Sequence, residues 1–211
     1  PGAVDRSGIL LSPQGWGPAR NIVGFTGGDL TCNPYFYVEC ARLIKERAEG
    51  LWVLIETNGY GLTPDNLARL RDAGVDAFWL DIKAYHDRTH RWLTGRPNAD
   101  ILKLPAQVLS HGFTLEVLSL YIPTLVERDQ IGSIARLLAE TNSAIPFTIL
   151  AFFPEYRMKR FRSPTADEMI QAYDEARVAG LRNVRLGNLG VFAGSDEALQ
   201  AVLDKVPLNA I

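Results

Sequence analysis

Six short runs of apolar residues recur along the 211-residue chain, and a stretch with helical periodicity follows each run. Most of these runs are apolar at nearly every position. They are therefore typical of strands that are buried on both faces, as in a parallel sheet covered by helices. The predicted strands comprise residues 21–25, 51–56, 76–82, 113–122, 146–152 and 183–187. The repeating unit is strand, helix, strand, which indicates an α/β protein.

The predicted helix boundaries support the same alternation. Thr63-Pro64 and Ser163-Pro164 place a proline near a first helical turn, where its missing N–H would have no intrahelical partner. Gly74 and Gly180 stand where a helix C-terminus commonly needs a left-handed residue. Such βαβ chains fold either as an open doubly wound sheet or as a closed or partial barrel, and periodicity does not choose between them. In both folds ligands bind at the carboxyl ends of the strands.

Polar residues stand at the ends of three successive predicted strands. The motifs are Thr26-Gly27-Gly28-Asp29, Glu56-Thr57-Asn58-Gly59 and Asp81-Ile82-Lys83. Each motif alone is also typical of a plain turn, a helix cap or a structural ion pair. Three acids at one edge of a sheet are costly to bury unless a cationic group lies among them. Together the motifs predict a binding site for a ligand that carries an ammonium group, hydroxyls or both.

These motifs resemble those of the radical S-adenosylmethionine superfamily, most closely the activating enzymes of glycyl radical enzymes such as pyruvate formate-lyase. The first motif resembles the family's G-G-E, with Asp29 in place of the commoner glutamate, and the others are similar to its E-T-N-G and D-L-K. The resemblance implies a partial (β/α) TIM-like barrel of parallel strands with outer helices over residues 21–211. Residues 1–20 would be the remnant of an N-terminal segment.

The resemblance also implies a cofactor, S-adenosyl-L-methionine, and a set of residues that would bind it. Gly27, Gly28 and Asp29 would seat the methionyl group, and Asp81 with Lys83 would contact the ribose or the carboxylate. The full predicted set is Thr26, Gly27, Gly28, Asp29, Glu56, Asn58, Asp81 and Lys83. No catalytic residue and no metal ligand is predicted within the chain.

Other segments match the family less closely. Residues 94–98 and 120–123 resemble stretches that follow the D-L-K motif, but Thr124 stands where the family has glycine. Residues 150–156 fall where the activating enzymes have a cofactor-binding histidine, and this chain has none there. A basic residue of the family is also replaced near Leu118. None of these positions is predicted to bind the cofactor.

The family's C-x3-C-x2-C motif, which binds three irons of a 4Fe-4S cluster, does not occur in the chain. Cys32 and Cys40 lack that spacing and are expected to be reduced and structural. We expect the motif to lie before Pro1 in the complete protein, so that this chain alone is inactive. A relative that has lost its cluster is the alternative.

Composition limits the partners. The formal net charge of -2 gives no broad attraction to nucleic acid or an anionic membrane. No apolar run reaches the roughly 18 residues of a transmembrane helix, so a cytoplasmic protein is expected. His86, His90 and His111 lack metal-ligand spacing. Residues 152–162 carry four basic and four aromatic side chains, and are expected either to contact substrate or to form a plain surface loop.

The resemblance implies a radical oxidoreductase that generates a 5'-deoxyadenosyl radical and abstracts a hydrogen atom from its substrate. That substrate would be a protein, such as a glycyl radical enzyme, or a small molecule. One alternative is a (β/α) barrel lyase or aldolase in which Lys83 forms a Schiff base and Asp81 or Glu56 acts as its acid-base partner. The other is a clusterless domain that only binds a partner.

Overall fold

The computed structural model describes residues 22–30, 32–48 and 50–211, which form two compact units. The first unit comprises described residues up to Asp81 together with Lys103–Leu115, and the second comprises Ile82–Leu102 and Glu116–Ile211. The predicted N-terminal remnant, residues 1–20, lies outside the described residues. No described helix is long and apolar enough to cross a membrane.

Strands and helices alternate along the described residues, as predicted. The strands are β1 (Ile22–Phe25), β2 (Trp52–Thr57), β3 (Ala77–Asp81), β4 (Thr114–Tyr121), β5 (Phe147–Ala151) and β6 (Val184–Gly187). The α-helices are α1 (Pro34–Arg47), α2 (Pro64–Asp72), α3 (Asp87–Thr94), α4 (Leu104–Ser110), α5 (Arg128–Asn142), α6 (Ala166–Val178), α7 (Leu189–Phe192) and α8 (Asp196–Lys205). Each predicted strand is confirmed, with boundaries that differ by about one residue.

Local sequence explains where the helices begin and end. The Thr63 side chain accepts a hydrogen bond from the Asn66 N–H and caps α2, whose first residue is Pro64. Gly74 (φ 92°) and Gly180 (φ 106°) follow α2 and α6 in the left-handed conformation that was predicted for them. Pro164, which was predicted to lie near a first turn, comes two residues before α6, and Thr165 caps this helix through a capping box with Glu168.

In the first unit, β1, β2 and β3 are parallel neighbours in chain order. Ile55 is fully buried and pairs with Phe25 on one side and with Phe78 on the other. Asp76 lies at the amino-terminal end of β3. Its Oδ2 accepts hydrogen bonds of 2.7 Å from both the Lys45 Nζ of α1 and the Val53 N–H of β2. This ion pair therefore joins α1 to the amino-terminal ends of two strands and leaves their carboxyl ends for other contacts.

In the second unit, β4, β5 and β6 are also parallel neighbours in chain order. Val117, Phe147 and Ile149 are fully buried, whereas Leu120 and Leu150 on the alternate positions are half-buried. One strand face is thus packed against helices or other core residues, and the other is partly open. The helices α5 and α6 supply further core residues, among them Ile131, Ile134, Leu138 and Met169.

Candidate functional site

The loop after β1 contains the first predicted motif and bends through two consecutive glycines. Gly27 (φ 76°) and Gly28 (φ 66°) both adopt the left-handed conformation, which L-residues with a Cβ avoid. A Cβ placed on Gly27 would meet no atom within 4 Å, so packing does not demand glycine there. Backbone conformation and exposure distinguish this loop: Thr26, Gly27 and Gly28 are exposed, and Asp29 is half-buried.

The Asp29 carboxylate is held by the last residue of the neighbouring strand β2 and by the loop after it. Its Oδ1 accepts a hydrogen bond of 2.9 Å from the Thr57 hydroxyl, and its Oδ2 accepts one of 2.9 Å from the Asn58 backbone N–H. Thr57 is only 3% exposed. These two donors contact different oxygens and so orient the carboxylate, and the first two predicted motifs are brought together.

The second loop is itself fixed by its own polar groups. The Thr57 hydroxyl also accepts a hydrogen bond of 3.0 Å from the Gly59 N–H, and the Asn58 Oδ1 accepts one of 3.1 Å from the Tyr60 N–H. The second contact is an Asx turn, in which a side chain replaces a backbone acceptor. Gly59 has a φ of 90°, which only glycine adopts readily. The Asn58 side chain therefore shapes the loop, and the Asn58 backbone N–H contacts Asp29.

Tyr37 of α1 packs against the first loop and the end of β1. It is 7% exposed, and its hydroxyl lies 3.4 Å from the position that a Cβ on Gly28 would occupy. Its ring packs edge-on against Phe25, the last residue of β1, with the centroids 5.6 Å apart. Burial raises the pKa of Tyr37, and electrostatic interactions with Asp29 and Cys32 add to that rise. The hydroxyl therefore stays protonated near neutral pH.

Glu56 and Asp81, two further predicted residues, lie on one face of the first unit's strands. Glu56 is paired in register with Trp79, and Asp81 stands two residues beyond Trp79 on β3. Side chains two apart on a strand point to the same face, so both carboxylates share it. All three side chains are half-buried. This face therefore presents two acids and an indole at the carboxyl ends of β2 and β3.

Lys83 belongs to the second unit, and side-chain hydrogen bonds fix the backbone on both sides of it. The buried Ser119 hydroxyl donates a hydrogen bond of 2.8 Å to the Ile82 carbonyl oxygen. The Asn98 side-chain amide, 3% exposed, donates to the carbonyl oxygens of Ala84 and Tyr85. Lys83 thus projects from a segment whose path is set by two buried polar side chains.

The remaining family-like segments have structural roles. In residues 94–98, Asn98 fixes the segment after Lys83, and the buried His90 ring donates through Nδ1 to the Arg96 carbonyl oxygen at 2.9 Å. Thr124 adopts a φ of 70°, the conformation that the family's glycine would favour, and the Glu127 carboxylate accepts from its N–H at 2.9 Å. Tyr121 is buried, and burial, together with Glu168 and Glu127, raises its pKa to about 12.

The two cysteines and the three histidines do not form a predicted metal site among the described residues. Cys32 is exposed and Cys40 is half-buried, and neither is in a disulfide. Across residues 22–30, 32–48 and 50–211, no group of three or more histidine, cysteine or acidic side chains has the geometry of a metal site. The structure therefore provides no cluster ligands within the described part of the chain.

Four residues near the predicted site were not assigned a role from the sequence. Thr57 was part of the second motif, but its spacing did not indicate that its hydroxyl contacts Asp29. Tyr37, Asn98 and Ser119 lie far in sequence from the groups that they support. A polar side chain in an otherwise apolar run, as with Ser119 in β4, is the one signal that could have identified a buried hydrogen bond.

Comparison with known proteins identifies the family to which this chain is similar. A protein-family model described as the radical SAM superfamily matches residues 14–132, which is more than half of the chain. A Methanocaldococcus jannaschii protein that is named as a candidate glycyl-radical enzyme activating enzyme is 29% identical over 142 residues. The match covers 65% of this chain and 52% of that protein, so the chain spans about half the length of this curated relative.

Solved structures agree on the fold. A domain of a pyruvate-formate lyase-activating enzyme from Bacteroides vulgatus gives a TM-score of 0.66 at 17% identity, covering 79% of this chain and 98% of the domain. SuiB from Streptococcus suis, bound to S-adenosylmethionine, gives 0.61 at 17% identity over 83% of this chain and 40% of SuiB. These likenesses confirm the predicted partial (β/α) barrel fold, and the family match shows that this chain belongs to the radical S-adenosylmethionine superfamily.

Proposed function

We propose that this chain is the cofactor-binding part of a radical enzyme that resembles the activating enzymes of glycyl radical enzymes. The observation that carries the proposal is the Asp29 carboxylate, which Thr57 and Asn58 hold in place beside two exposed glycines. The family match covers this whole region. The name of the Methanocaldococcus jannaschii relative supports the activating function.

The geometry of the first loop fits the methionyl end of S-adenosylmethionine. Gly27 and Gly28 expose backbone polar groups without a Cβ in front of them, so that a ligand can approach closely. Asp29 accepts hydrogen bonds from two neutral donors, the Thr57 hydroxyl and the Asn58 backbone N–H, and both orient the carboxylate. An oriented carboxylate binds an ammonium group with a strong, charge-assisted hydrogen bond.

The other predicted residues have chemistry that suits the rest of the same cofactor. Glu56 and Asp81 share a strand face and can accept hydrogen bonds from ribose hydroxyls. Lys83 can donate to a carboxylate, and the fixed backbone around it would limit the positions that its flexible side chain reaches. In this proposal the protein's share of the work is to bind, orient and exclude water.

S-adenosylmethionine, together with a reduced 4Fe-4S cluster, would supply radical chemistry for hydrogen-atom abstraction, and Gly27, Gly28 and Asp29 of this chain would hold its methionyl group. The cluster needs three cysteines, whereas the 211 residues contain two that are not suitably spaced. The proposal therefore requires ligands from elsewhere in the complete protein, and its tests use that protein. The substrate that we propose is a polypeptide, as for the activating enzymes that the chain resembles.

Reductive cleavage of S-adenosylmethionine tests this function directly. The full-length protein, reconstituted with iron and sulfide without oxygen and then reduced with dithionite, is expected to release 5'-deoxyadenosine, measured by liquid chromatography. A protein that assembles a cluster but releases none would contradict the proposal. Borohydride trapping with carbonyl compounds is expected to leave Lys83 unmodified, and a stable adduct at Lys83 would favour the lyase or aldolase instead.

A further inference from the structure

The segment between β5 and α6 exposes aromatic side chains that nothing in the proposed cofactor chemistry uses. Phe153 is 53% exposed and Tyr156 is 76% exposed. Trp92 of α3 is 51% exposed, and its ring meets Phe161 edge-on with the centroids 5.8 Å apart. Large aromatic side chains in this number are uncommon on a surface that faces only water, and they are enriched in the cores of protein interfaces.

Cationic side chains lie among these aromatic rings. The Arg157 guanidinium lies 5.2 Å from the centre of the Tyr156 ring, and the Arg160 guanidinium lies 5.2 Å from the centre of the Phe161 ring. A guanidinium stacked on a ring keeps its edge of N–H donors available for a carboxylate. Lys159 lies between the two arginines and is exposed. In the described part of the chain, none of these three cations forms an ion pair with an acid.

Tyr156 also adopts a backbone conformation that a free loop would avoid. Its φ is 49°, in the left-handed region that disfavours a bulky side chain. Burial of its ring does not compensate for this, because three quarters of the side chain is exposed. A strained backbone conformation that is not compensated by packing is commonly found at residues that bind a ligand or a partner.

We propose that the surface formed by Trp92, Phe153, Tyr156, Arg157, Lys159, Arg160 and Phe161 docks an acidic, aromatic-containing segment of the polypeptide substrate. We call it the 153–161 surface. This inference rests on the proposed function, which supplies the polypeptide. The segment leaves the carboxyl end of β5, and ligands of βα barrels bind at that end of the strands.

Charge favours a short acidic segment over a nucleic acid or a membrane. The 153–161 surface has three cations that form no ion pair with a described residue, and one acid, Glu155, lies beside it in sequence, within a chain whose net charge is -2. A nucleic acid is bound by an extended basic surface that neutralises many phosphates, and the acidic remainder of this chain would repel it. Three cations and several aromatic rings suit the carboxylates and rings of a few consecutive residues.

The test uses defined probes and the full-length protein. The probes are a fluorescent random copolymer of glutamate and tyrosine, single-stranded oligouridine, and vesicles of phosphatidylcholine with phosphatidylserine. Binding is followed by fluorescence anisotropy for the polymers and by co-sedimentation for the vesicles. The variant Arg157→Glu/Lys159→Glu/Arg160→Glu is compared with Arg136→Glu/Arg182→Glu/Lys205→Glu, which changes the net charge equally at other exposed positions.

We expect the copolymer to bind, and the first triple variant to weaken its binding about tenfold or more, whereas the control triple changes it by less than about threefold. Equal weakening by both triples would overturn the proposal. The proposal would also be overturned if oligouridine or the vesicles bound more tightly than the copolymer and the first triple variant abolished that binding. The affinity for S-adenosylmethionine is expected to be the same in both triples. A wild-type protein that binds the copolymer but not S-adenosylmethionine would contradict the proposed function alone.

A second variant tests the aromatic rings without changing charge. Phe153→Ser/Tyr156→Ser is expected to weaken copolymer binding about tenfold. The control Val178→Ser/Leu203→Ser removes apolar side chains that are also exposed, on α6 and α8, and is expected to leave binding unchanged. Unchanged binding in the first of these two variants would overturn the role of the rings, even if the charge variant failed to fold.

Discussion

The loop after β1 and the 153–161 surface both carry charged groups near the carboxyl end of a strand, but they hold those groups differently. In the first loop, the Asp29 carboxylate receives donors from Thr57 and Asn58 on a neighbouring loop. On the 153–161 surface, the guanidinium groups of Arg157 and Arg160 stack on aromatic rings next to them in sequence. The first arrangement is fixed by the fold and the second by local stacking.

This difference matches the two kinds of ligand that we propose. A small cofactor must be held within a fraction of an ångström for its chemistry, so its contacts are set in advance by neighbouring elements. A polypeptide segment can be bound by adaptable side chains that retain rotamer freedom until they are engaged. Side-chain support should therefore affect folding strongly at the first loop and weakly at the 153–161 surface.

The largest expected effect is that of Thr57→Val. This variant keeps the shape of the side chain but removes the donor to Asp29, and it leaves the Gly59 N–H without its acceptor. Because both groups are buried or half-buried, the free energy of unfolding should fall by about 2–3 kcal/mol. Urea unfolding followed by circular dichroism measures it. Thr114→Val, at an exposed strand position, is the matched control. An equal loss of unfolding free energy in the two variants would contradict the claim that the fold holds the first loop more firmly than the 153–161 surface.

Asn98→Ala should have the next largest effect. It removes the donor to two carbonyl oxygens, those of Ala84 and Tyr85, at a site that is only 3% exposed. The free energy of unfolding should fall by about 2 kcal/mol in the same assay. Asn209→Ala, at an exposed position, should change it by less than about 0.5 kcal/mol. A neutral Asn98→Ala would show that the backbone beside Lys83 is not fixed by this amide.

A smaller effect is expected of Glu168→Gln, which lies where the segment after β5 enters α6. The hydrogen bonds from Arg162 hold the pKa of Glu168 below its ordinary value of 4.5. Since the folded-state pKa is depressed, the stabilisation is present above 4.5 and is lost as the pH falls through the folded-state value. Glutamine keeps the capping box but not the charge. Wild type and variant should therefore differ in urea midpoint at neutral pH and converge in acid, and a constant difference would contradict this account.

The smallest effect on folding is expected of Tyr156→Asn. Asparagine tolerates a φ of 49° better than tyrosine does, so the free energy of unfolding should be unchanged or rise by less than about 1 kcal/mol. The same variant should bind the glutamate–tyrosine copolymer less tightly. A variant that loses stability would show that the Tyr156 ring packs into the fold, and the contrast between the two regions would then be wrong.

The sequence predicted the elements better than their contacts. All six strands were found because an apolar run buried on both faces looks the same in any α/β fold. Asp29, Glu56 and Asp81 are predicted site residues because a parallel fold brings strand ends together, and that role stays a prediction. The contact between Thr57 and Asp29, and the support of Lys83 by Asn98, depend on three-dimensional packing between residues 28 and 13 or more positions apart. No period in the sequence encodes such contacts.

Unusual backbone conformations were the second kind of feature that the sequence did not predict. The sequence marked Thr124 as a substitution for glycine, but not that it keeps the left-handed conformation. The position of Tyr156 in the same region was also not predicted, because tyrosine normally avoids it. Pro164 indicates a nearby first turn, but it is the capping box of Thr165 and Glu168 that sets the start of α6 at Ala166. Turn and cap chemistry therefore decided the boundaries.

The affinity of the full-length, cluster-containing protein for S-adenosylmethionine tests the central claim most directly. Asp29→Asn keeps the size and an acceptor for Thr57 but removes the charge, and Asp29→Glu restores it. Equilibrium dialysis should show affinity reduced about tenfold or more in Asp29→Asn, and close to wild type in Asp29→Glu and in the exposed control Asp72→Asn. Equal affinity in wild type and Asp29→Asn would contradict the claim that this carboxylate seats the cofactor.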